Sequence, residues 1–107
     1  MRLKDKRTIV TGGGSGFGEG IVRKFRNEGA QVLVADRDEA SAKRVAEVTG
    51  ASWVRTDVAV AADVLAMVRT AVERFGGIDI LINNAGVTHL PSLLEEVSEA
   101  DFDRIVA

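Results

Sequence analysis

The sequence predicts an α/β protein, with a doubly wound parallel sheet covered by helices on both faces. Short apolar runs alternate along the chain with longer amphipathic stretches. The runs are apolar at nearly every consecutive position, which is typical of strands buried on both faces of a parallel sheet. Seven of the eleven glycines lie between Gly12 and Gly29, directly after the first run. The resulting order, β-α-β-α-β-α-β-α, favours right-handed crossovers within one parallel sheet.

The first strand is expected at residues 8–10, and the second at residues 32–35. Between them, apolar side chains recur at helical spacing, at Phe17, Ile21, Val22 and Phe25. Gly29 is placed to end this first helix, since glycine readily adopts the left-handed conformation found at helix ends.

The later elements repeat the same alternation. A second helical stripe, closed by Gly50, is formed by Ala42, Val45, Ala46 and Val48. A third stripe, closed by Gly76 and Gly77, is formed by Val64, Leu65, Val68, Val72 and Phe75. Strands are expected at residues 53–54, where Trp53 is interpreted as a core residue, and at residues 78–82. A fourth helix is expected to begin near Ser98 in an approximate capping box.

Composition excludes several classes of protein. The chain has 107 residues, 46% of them hydrophobic, and a formal net charge of -2, which predicts a single small domain over residues 1–107. A pI near 5.4 argues against a nucleic-acid partner. No apolar run approaches the roughly 20 residues of a membrane helix, and no signal-peptide core is visible. The absence of cysteine excludes disulfides and thiolate metal sites, and we expect a cytoplasmic location.

A glycine-rich loop follows the first strand and opens the first helix. Residues 11–18 read Thr-Gly-Gly-Gly-Ser-Gly-Phe-Gly, which fits T-G-x-x-x-G-x-G but neither G-x-G-x-x-G nor the Walker A pattern. Helix amino ends attract phosphate, and glycine lets a pyrophosphate approach the backbone closely. The loop therefore favours a bound dinucleotide. The alternative is a turn that only packs a helix against a strand.

Asp36 ends the second strand about 20 residues after the glycine loop. A carboxylate there can accept hydrogen bonds from the adenosine ribose hydroxyls and would repel a 2′-phosphate, which favours NAD over NADP. The neighbouring Arg37 argues the other way, because a guanidinium suits a 2′-phosphate. Ser15 adds no basic charge to the loop, so NAD remains the prediction. Alternatively, Asp36 caps the helix that follows.

Four motifs in this order closely resemble those of the classical short-chain dehydrogenase/reductase family. They are the glycine loop, Asp36, Asp57-Val58 and residues 83–86, Asn-Asn-Ala-Gly. The resemblance covers the whole chain. It implies a Rossmann-type fold truncated after the fourth strand and the start of the following helix, which is the amino-terminal half of such an enzyme.

The resemblance also implies a role for each motif. The pyrophosphate and adenosine ribose would contact Gly12, Ser15, Gly16, Phe17 and Gly18, with Asp36 and Arg37 beside the ribose. Asp57 and Val58 would contact the adenine, and Asn83 would help to tie the central strands together. The nicotinamide side would be lined by Asn84, Ala85 and Gly86. The alternatives are that Asp57 caps the third helix and that Asn83-Asn84 forms a turn after the strand.

The family transfers a hydride between nicotinamide and an alcohol or carbonyl, using an asparagine, a serine and a Tyr-x-x-x-Lys pair. This sequence contains no tyrosine, and its last lysine is Lys43, so no catalytic residue is assigned. His89 is given little weight as a catalytic group. We expect the chain to supply the cofactor-binding half of an NAD-dependent oxidoreductase and to be inactive alone. The alternatives are a non-catalytic dinucleotide-binding module or a fold fragment.

The fourth predicted strand, residues 78–82, would leave an open apolar edge if the chain stood alone. Such an edge invites pairing with another chain. We therefore expect the chain alone to be poorly stable or to self-associate. For the parent enzyme we expect a homo-oligomer.

Overall fold

The computed structural model describes residues 2–84. Within this range the strands are β1 (Arg7–Thr11), β2 (Gln31–Asp36), β3 (Ser52–Arg55) and β4 (Ile80–Asn83). The helices are α1 (Gly16–Asn27), α2 (Glu39–Thr49) and α3 (Ala61–Phe75). The predicted α/β alternation is confirmed. The helix predicted near Ser98 lies outside the described residues.

The described strands form one parallel sheet in the order β3-β2-β1-β4. Strand β1 pairs with β2 from Arg7↔Gln31 to Thr11↔Ala35 and with β4 from Thr8↔Ile80 to Thr11↔Asn83. The chain thus winds outward from β1 to β3 and then returns to the opposite side of β1. In open α/β sheets, ligands bind beyond the carboxyl ends of the strands, at the point where the winding direction reverses.

Successive residues of the central strands pack on opposite faces of the sheet. Val10, Val32 and Val34 join a cluster that also contains Val22 of α1 and Val45 of α2. On the other face, the buried residues from the strands and from α3 include Ile9, Leu33, Val64, Met67 and Val68. Burial of each such side chain contributes roughly 1.5–3 kcal/mol, so the two clusters hold the helices against the sheet.

Two side chains of the predicted helical stripes lie outside the core. Phe17 is 81% exposed and Val48 is 55% exposed. Each lies about 100° around its helix from the middle of the buried face, so the buried faces of α1 and α2 are narrower than the predicted apolar stripes. Trp53 is only partly buried and packs against the cluster on the α1–α2 face.

The glycines predicted to end helices do so. Gly50 and Gly76 are the C-caps of α2 and α3, with φ of 78° and 84°. Gly29, with φ of 90°, follows the Glu28 C-cap of α1. Across residues 2–84, no helix combines the length and the apolar character that a bilayer crossing requires.

An ion pair joins β1 to the approach of β4 at the amino ends of these strands. The Arg7 guanidinium donates to both carboxylate oxygens of Asp79, with Nε–Oδ2 at 2.9 Å and Nη2–Oδ1 at 3.0 Å. The Arg7 backbone N–H also donates to Oδ2, and the Asp79 N–H donates to the Arg7 carbonyl. Four hydrogen bonds therefore set the alignment of these two segments.

Candidate functional site

A cleft of about 380 Å³ lies at the carboxyl edge of the sheet. It is lined by residues that follow or end all four described strands: Gly12, Ser15, Ala35, Asp36, Arg37, Thr56, Asp57, Val58 and Asn84. The carboxyl ends of parallel strands meet at one edge, and the cleft is therefore assembled from segments that are far apart in sequence.

The glycine loop forms the wall of the cleft after β1. Gly12 has a φ of 65°, which glycine adopts without the steric cost of a Cβ. Ser15 is the N-cap of α1, since its Oγ accepts a hydrogen bond from the Gly18 N–H at 3.4 Å. The same hydroxyl donates to the Gly12 carbonyl at 2.8 Å. The loop thus holds the amino end of α1, with its partial positive charge, beside the cleft.

Two glycines of the loop differ in the space around them. A Cβ at Gly18 would collide with the Gly12 carbonyl oxygen and would lie 2.8 Å from Asn84 Nδ2. At Gly16, a Cβ would meet nothing within 4 Å among the described residues. Gly18 is thus required by packing, whereas Gly16 is exposed at the amino end of α1. The unpaired backbone N–H groups at this helix end are chemically suited to a phosphate.

Asp36 is held by two backbone donors. Its Oδ2 accepts from the Gly14 N–H and its Oδ1 from the Asp38 N–H, both at 2.9 Å. The N-cap of α2 is Asp38, whose Oδ1 accepts from the Ser41 N–H at 3.2 Å. The alternative in which Asp36 caps this helix is therefore wrong. Each Asp36 oxygen keeps a further lone pair for a ligand hydroxyl.

The wall of the cleft after β2 carries both a negative and a positive side chain, Asp36 and Arg37. Arg37 is exposed and lines the same cleft as Asp36. Hydrogen bonds from the Ser41 backbone and hydroxyl lower the pKa of the neighbouring Asp38. In residues 2–84, no group of three or more histidine or acidic side chains is arranged to hold a metal ion.

Thr56, Asp57 and Val58 form the wall after β3. Asp57 Oδ1 accepts from the Ala59 N–H at 3.0 Å, and the Asp57 N–H donates to Asp63. The N-cap of α3 is Val60, so the alternative in which Asp57 caps this helix is also wrong. Thr56 is buried, and its Oγ1 has no hydrogen-bond partner among the described residues. Sequence reasoning missed Thr56, although it directly precedes Asp57 after a strand.

Asn84 connects the end of β4 to the glycine loop. Its side-chain N–H group lies 3.2 Å from the Gly12 carbonyl and 3.3 Å from Ser15 Oγ. Its backbone N–H donates to Thr11 Oγ1 at 3.1 Å, and the same hydroxyl lies 3.2 Å from Asn83 Oδ1. These bonds tie β1 to β4 at the floor of the cleft.

Most of the predicted site residues are brought together by the fold. Those that line the cleft are Gly12, Ser15, Asp36, Arg37, Asp57, Val58 and Asn84. Gly16 and Phe17 line a separate groove along α1, and Gly18 is buried below the loop. Their contacts with a cofactor stay predictions. Ala85 and Gly86 lie outside the described residues.

Comparison with known proteins identifies the family. The family model described as short chain dehydrogenase matches residues 6–107. The chain belongs to the short-chain dehydrogenase family. This short-chain dehydrogenase sequence is 40% identical over 109 residues to an uncharacterized oxidoreductase of Mycobacterium bovis, covering 98% of the chain and 44% of that protein. It is 42% identical over 106 residues to L-fucose dehydrogenase of Bos taurus, covering 98% and 39%. The chain thus spans less than half the length of these relatives.

Solved structures of short-chain dehydrogenases share the fold. A 3-ketoacyl-(acyl-carrier-protein) reductase from Brucella melitensis complexed with NADH is 43% identical, with a TM-score of 0.77 over 97% of this chain and 43% of the other. A short-chain dehydrogenase/reductase from Burkholderia phymatum in complex with NAD is 35% identical, with a TM-score of 0.71 over 76% and 31%. The Rossmann-type fold class is confirmed, and a nicotinamide dinucleotide is the cofactor type that these neighbours bind.

Proposed function

We propose that these 107 residues are the dinucleotide-binding part of an NAD-dependent oxidoreductase that acts on an alcohol or carbonyl compound. The observation that carries this proposal is the cleft, where the glycine loop and the carboxylate of Asp36 face one space. A helix amino end suits a pyrophosphate, and a carboxylate suits the two ribose hydroxyls. The neighbours solved with NADH and NAD support the cofactor type.

Each part of the proposed cofactor would contact a different group of residues. The loop from Gly12 to Gly18 would hold the pyrophosphate, and Asp36 would accept from the ribose hydroxyls. Asp57 and Val58 would contact the adenine, with Asn84 towards the nicotinamide side. Bound nicotinamide would supply hydride transfer. The residues of this chain bind and orient it.

Activity on a substrate requires groups that the sequence does not contain. The 107 residues include no tyrosine to serve as the family's proton donor, so we expect them to bind a dinucleotide without oxidising an alcohol. For the parent protein we propose a small alcohol or carbonyl substrate, a homo-oligomeric state and a cytoplasmic location.

Calorimetric titration of the purified chain with NADH and with NADPH tests the proposal. We expect tighter binding of NADH, because the Asp36 carboxylate would repel a 2′-phosphate. The variant Asp36→Ala should lose this preference while the chain still unfolds cooperatively. Failure of the unsubstituted, folded chain to bind either nucleotide would contradict the proposal.

A further inference from the structure

Gly14 belongs to the glycine loop and packs against the first turn of α2. It is buried, and its N–H donates to Asp36 Oδ2 at 2.9 Å. The Asp38 N–H holds the other carboxylate oxygen at the same distance. Together these two donors fix the plane of the Asp36 carboxylate at the wall of the cleft.

The contact between Gly14 and Asp36 depends on the missing side chain. A Cβ at residue 14 would lie 2.8 Å from Ser41 Cβ, 2.9 Å from Asp36 Oδ2 and 3.0 Å from the Ser41 carbonyl carbon. The Ser41 atoms belong to α2 and move only with that helix. The carboxylate is the end of a side chain, so it would give way more easily. A methyl group at residue 14 would therefore press on both α2 and the Asp36 carboxylate, and the carboxylate is the group that can rotate away.

We infer that Gly14 is a specificity-determining position, which holds Asp36 against the ribose and so selects NAD over NADP. This inference rests on the proposed function. When the carboxylate is displaced, its repulsion of a 2′-phosphate weakens. Arg37, which lines the same cleft, then provides a guanidinium suited to that phosphate. Gly14 itself is a positioning residue, because it acts through Asp36.

The variant Gly14→Ala, titrated with NADH and NADPH, tests the inference. We expect NADH affinity to fall roughly tenfold, which corresponds to the loss of one hydrogen bond to a charged group. NADPH affinity should be unchanged or higher, so the ratio of the two dissociation constants changes. The matched control is Gly20→Ala on α1, where a Cβ would meet nothing within 4 Å among the described residues. That control should keep the ratio of the unsubstituted chain.

A double-mutant cycle shows whether the effect passes through Asp36. In an Asp36→Ala background, Gly14→Ala should leave the ratio unchanged, because the group it displaces is gone. An unchanged ratio of the NADH and NADPH dissociation constants in Gly14→Ala would overturn the inference. If both affinities fall equally, Gly14 serves packing alone. If Gly14→Ala does not fold, Gly14→Ala/Ser41→Gly compared with Ser41→Gly repeats the test without the Ser41 Cβ. No binding by the unsubstituted chain would instead remove the proposed function, and this inference with it.

Discussion

At the scale of single residues, three buried threonine hydroxyls have different surroundings. Thr8 Oγ1 and Thr56 Oγ1 have no hydrogen-bond partner in the described part of the chain. Thr11 Oγ1 accepts from the Asn84 N–H and lies within bonding distance of Asn83 Oδ1. Burying an unpaired hydroxyl costs free energy, so its removal should not destabilise the fold. Removal of a hydroxyl that accepts a hydrogen bond leaves the donor without a partner. Substitution of threonine by valine should therefore have different effects at Thr8 and Thr11.

We predict that Thr8→Val leaves the free energy of unfolding unchanged or raises it by up to about 1 kcal/mol, since valine has the same shape and no unpaired hydroxyl. Thr11→Val should lower it by about 1–3 kcal/mol, because the Asn84 N–H loses its acceptor. Urea denaturation of the two variants measures both values. Equal destabilisation by the two substitutions would contradict the prediction.

The sequence predicts which residues line the cleft where a recognisable motif follows a strand. Asp36 could be placed at the cleft because it directly follows a buried apolar run, whereas Asp57 could be placed there only by the resemblance of its motif to that of the family. Their hydrogen-bond partners could not be predicted, because the caps of α2 and α3 turned out to be Asp38 and Val60. The packing of Gly14 against Asp36 and Ser41 was also invisible, since it depends on how α2 sits against the loop.

At the scale of elements, the start of α1 depends on close approach between backbone segments. Gly18 lies where a Cβ would strike the Gly12 carbonyl, whereas Gly20, two residues along the same helix, faces open space among the described residues. The two positions therefore separate the packing requirement for glycine from its intrinsic effect on helix stability.

We predict that Gly20→Ala raises the free energy of unfolding by about 0.5–1 kcal/mol, because alanine loses less backbone entropy in a helix. Gly18→Ala should lower it, since the loop must open to admit the methyl group. Thermal denaturation followed by far-ultraviolet circular dichroism measures both effects. A stabilising Gly18→Ala would show that the loop can shift without cost.

Element order was well predicted, and element boundaries less so. Consecutive apolar residues identified all four described strands, yet β4 begins at Ile80 rather than at residue 78. Asp79 explains this difference, because its backbone N–H and its carboxylate both form hydrogen bonds with Arg7 before β4 begins. The amphipathic stripes located the helices, although Met67 rather than Leu65 turned out to be fully buried in α3.

At the scale of the whole molecule, the Arg7–Asp79 pair couples the sheet to pH. The Arg7 side chain, helped by its backbone N–H, holds the pKa of Asp79 well below its usual value. A carboxyl group with a lowered folded-state pKa contributes stability above its unfolded pKa and loses that contribution as the pH falls towards the folded value. The contribution of Asp79 is therefore present at pH 7 and declines below about pH 4.

We predict that Asp79→Asn lowers the free energy of unfolding at pH 7 and flattens its decline between about pH 4 and pH 2. Urea denaturation at a series of pH values measures this dependence. The matched control is Glu47→Gln on the exposed side of α2, which should leave the acid limb of the curve close to that of the unsubstituted chain. An unchanged acid limb in Asp79→Asn would contradict the prediction, since it would show that Asp79 contributes little to the pH dependence of stability.

Residues at the carboxyl end of every described strand line the cleft, from β3 at one side of the described sheet to β4 at the other. A ligand that filled it would bridge the four described strands and contact segments from Gly12 to Asn84, which are far apart along the chain. Opening of either β3 or β4 would break that bridge, so a bound ligand would stabilise the closed arrangement of the described strands. At a free concentration one hundred times its dissociation constant, such a ligand would add about 2.7 kcal/mol to the free energy of unfolding. A bound nucleotide would hold the ends of the described strands together, and the midpoint temperature of thermal unfolding would rise when it binds.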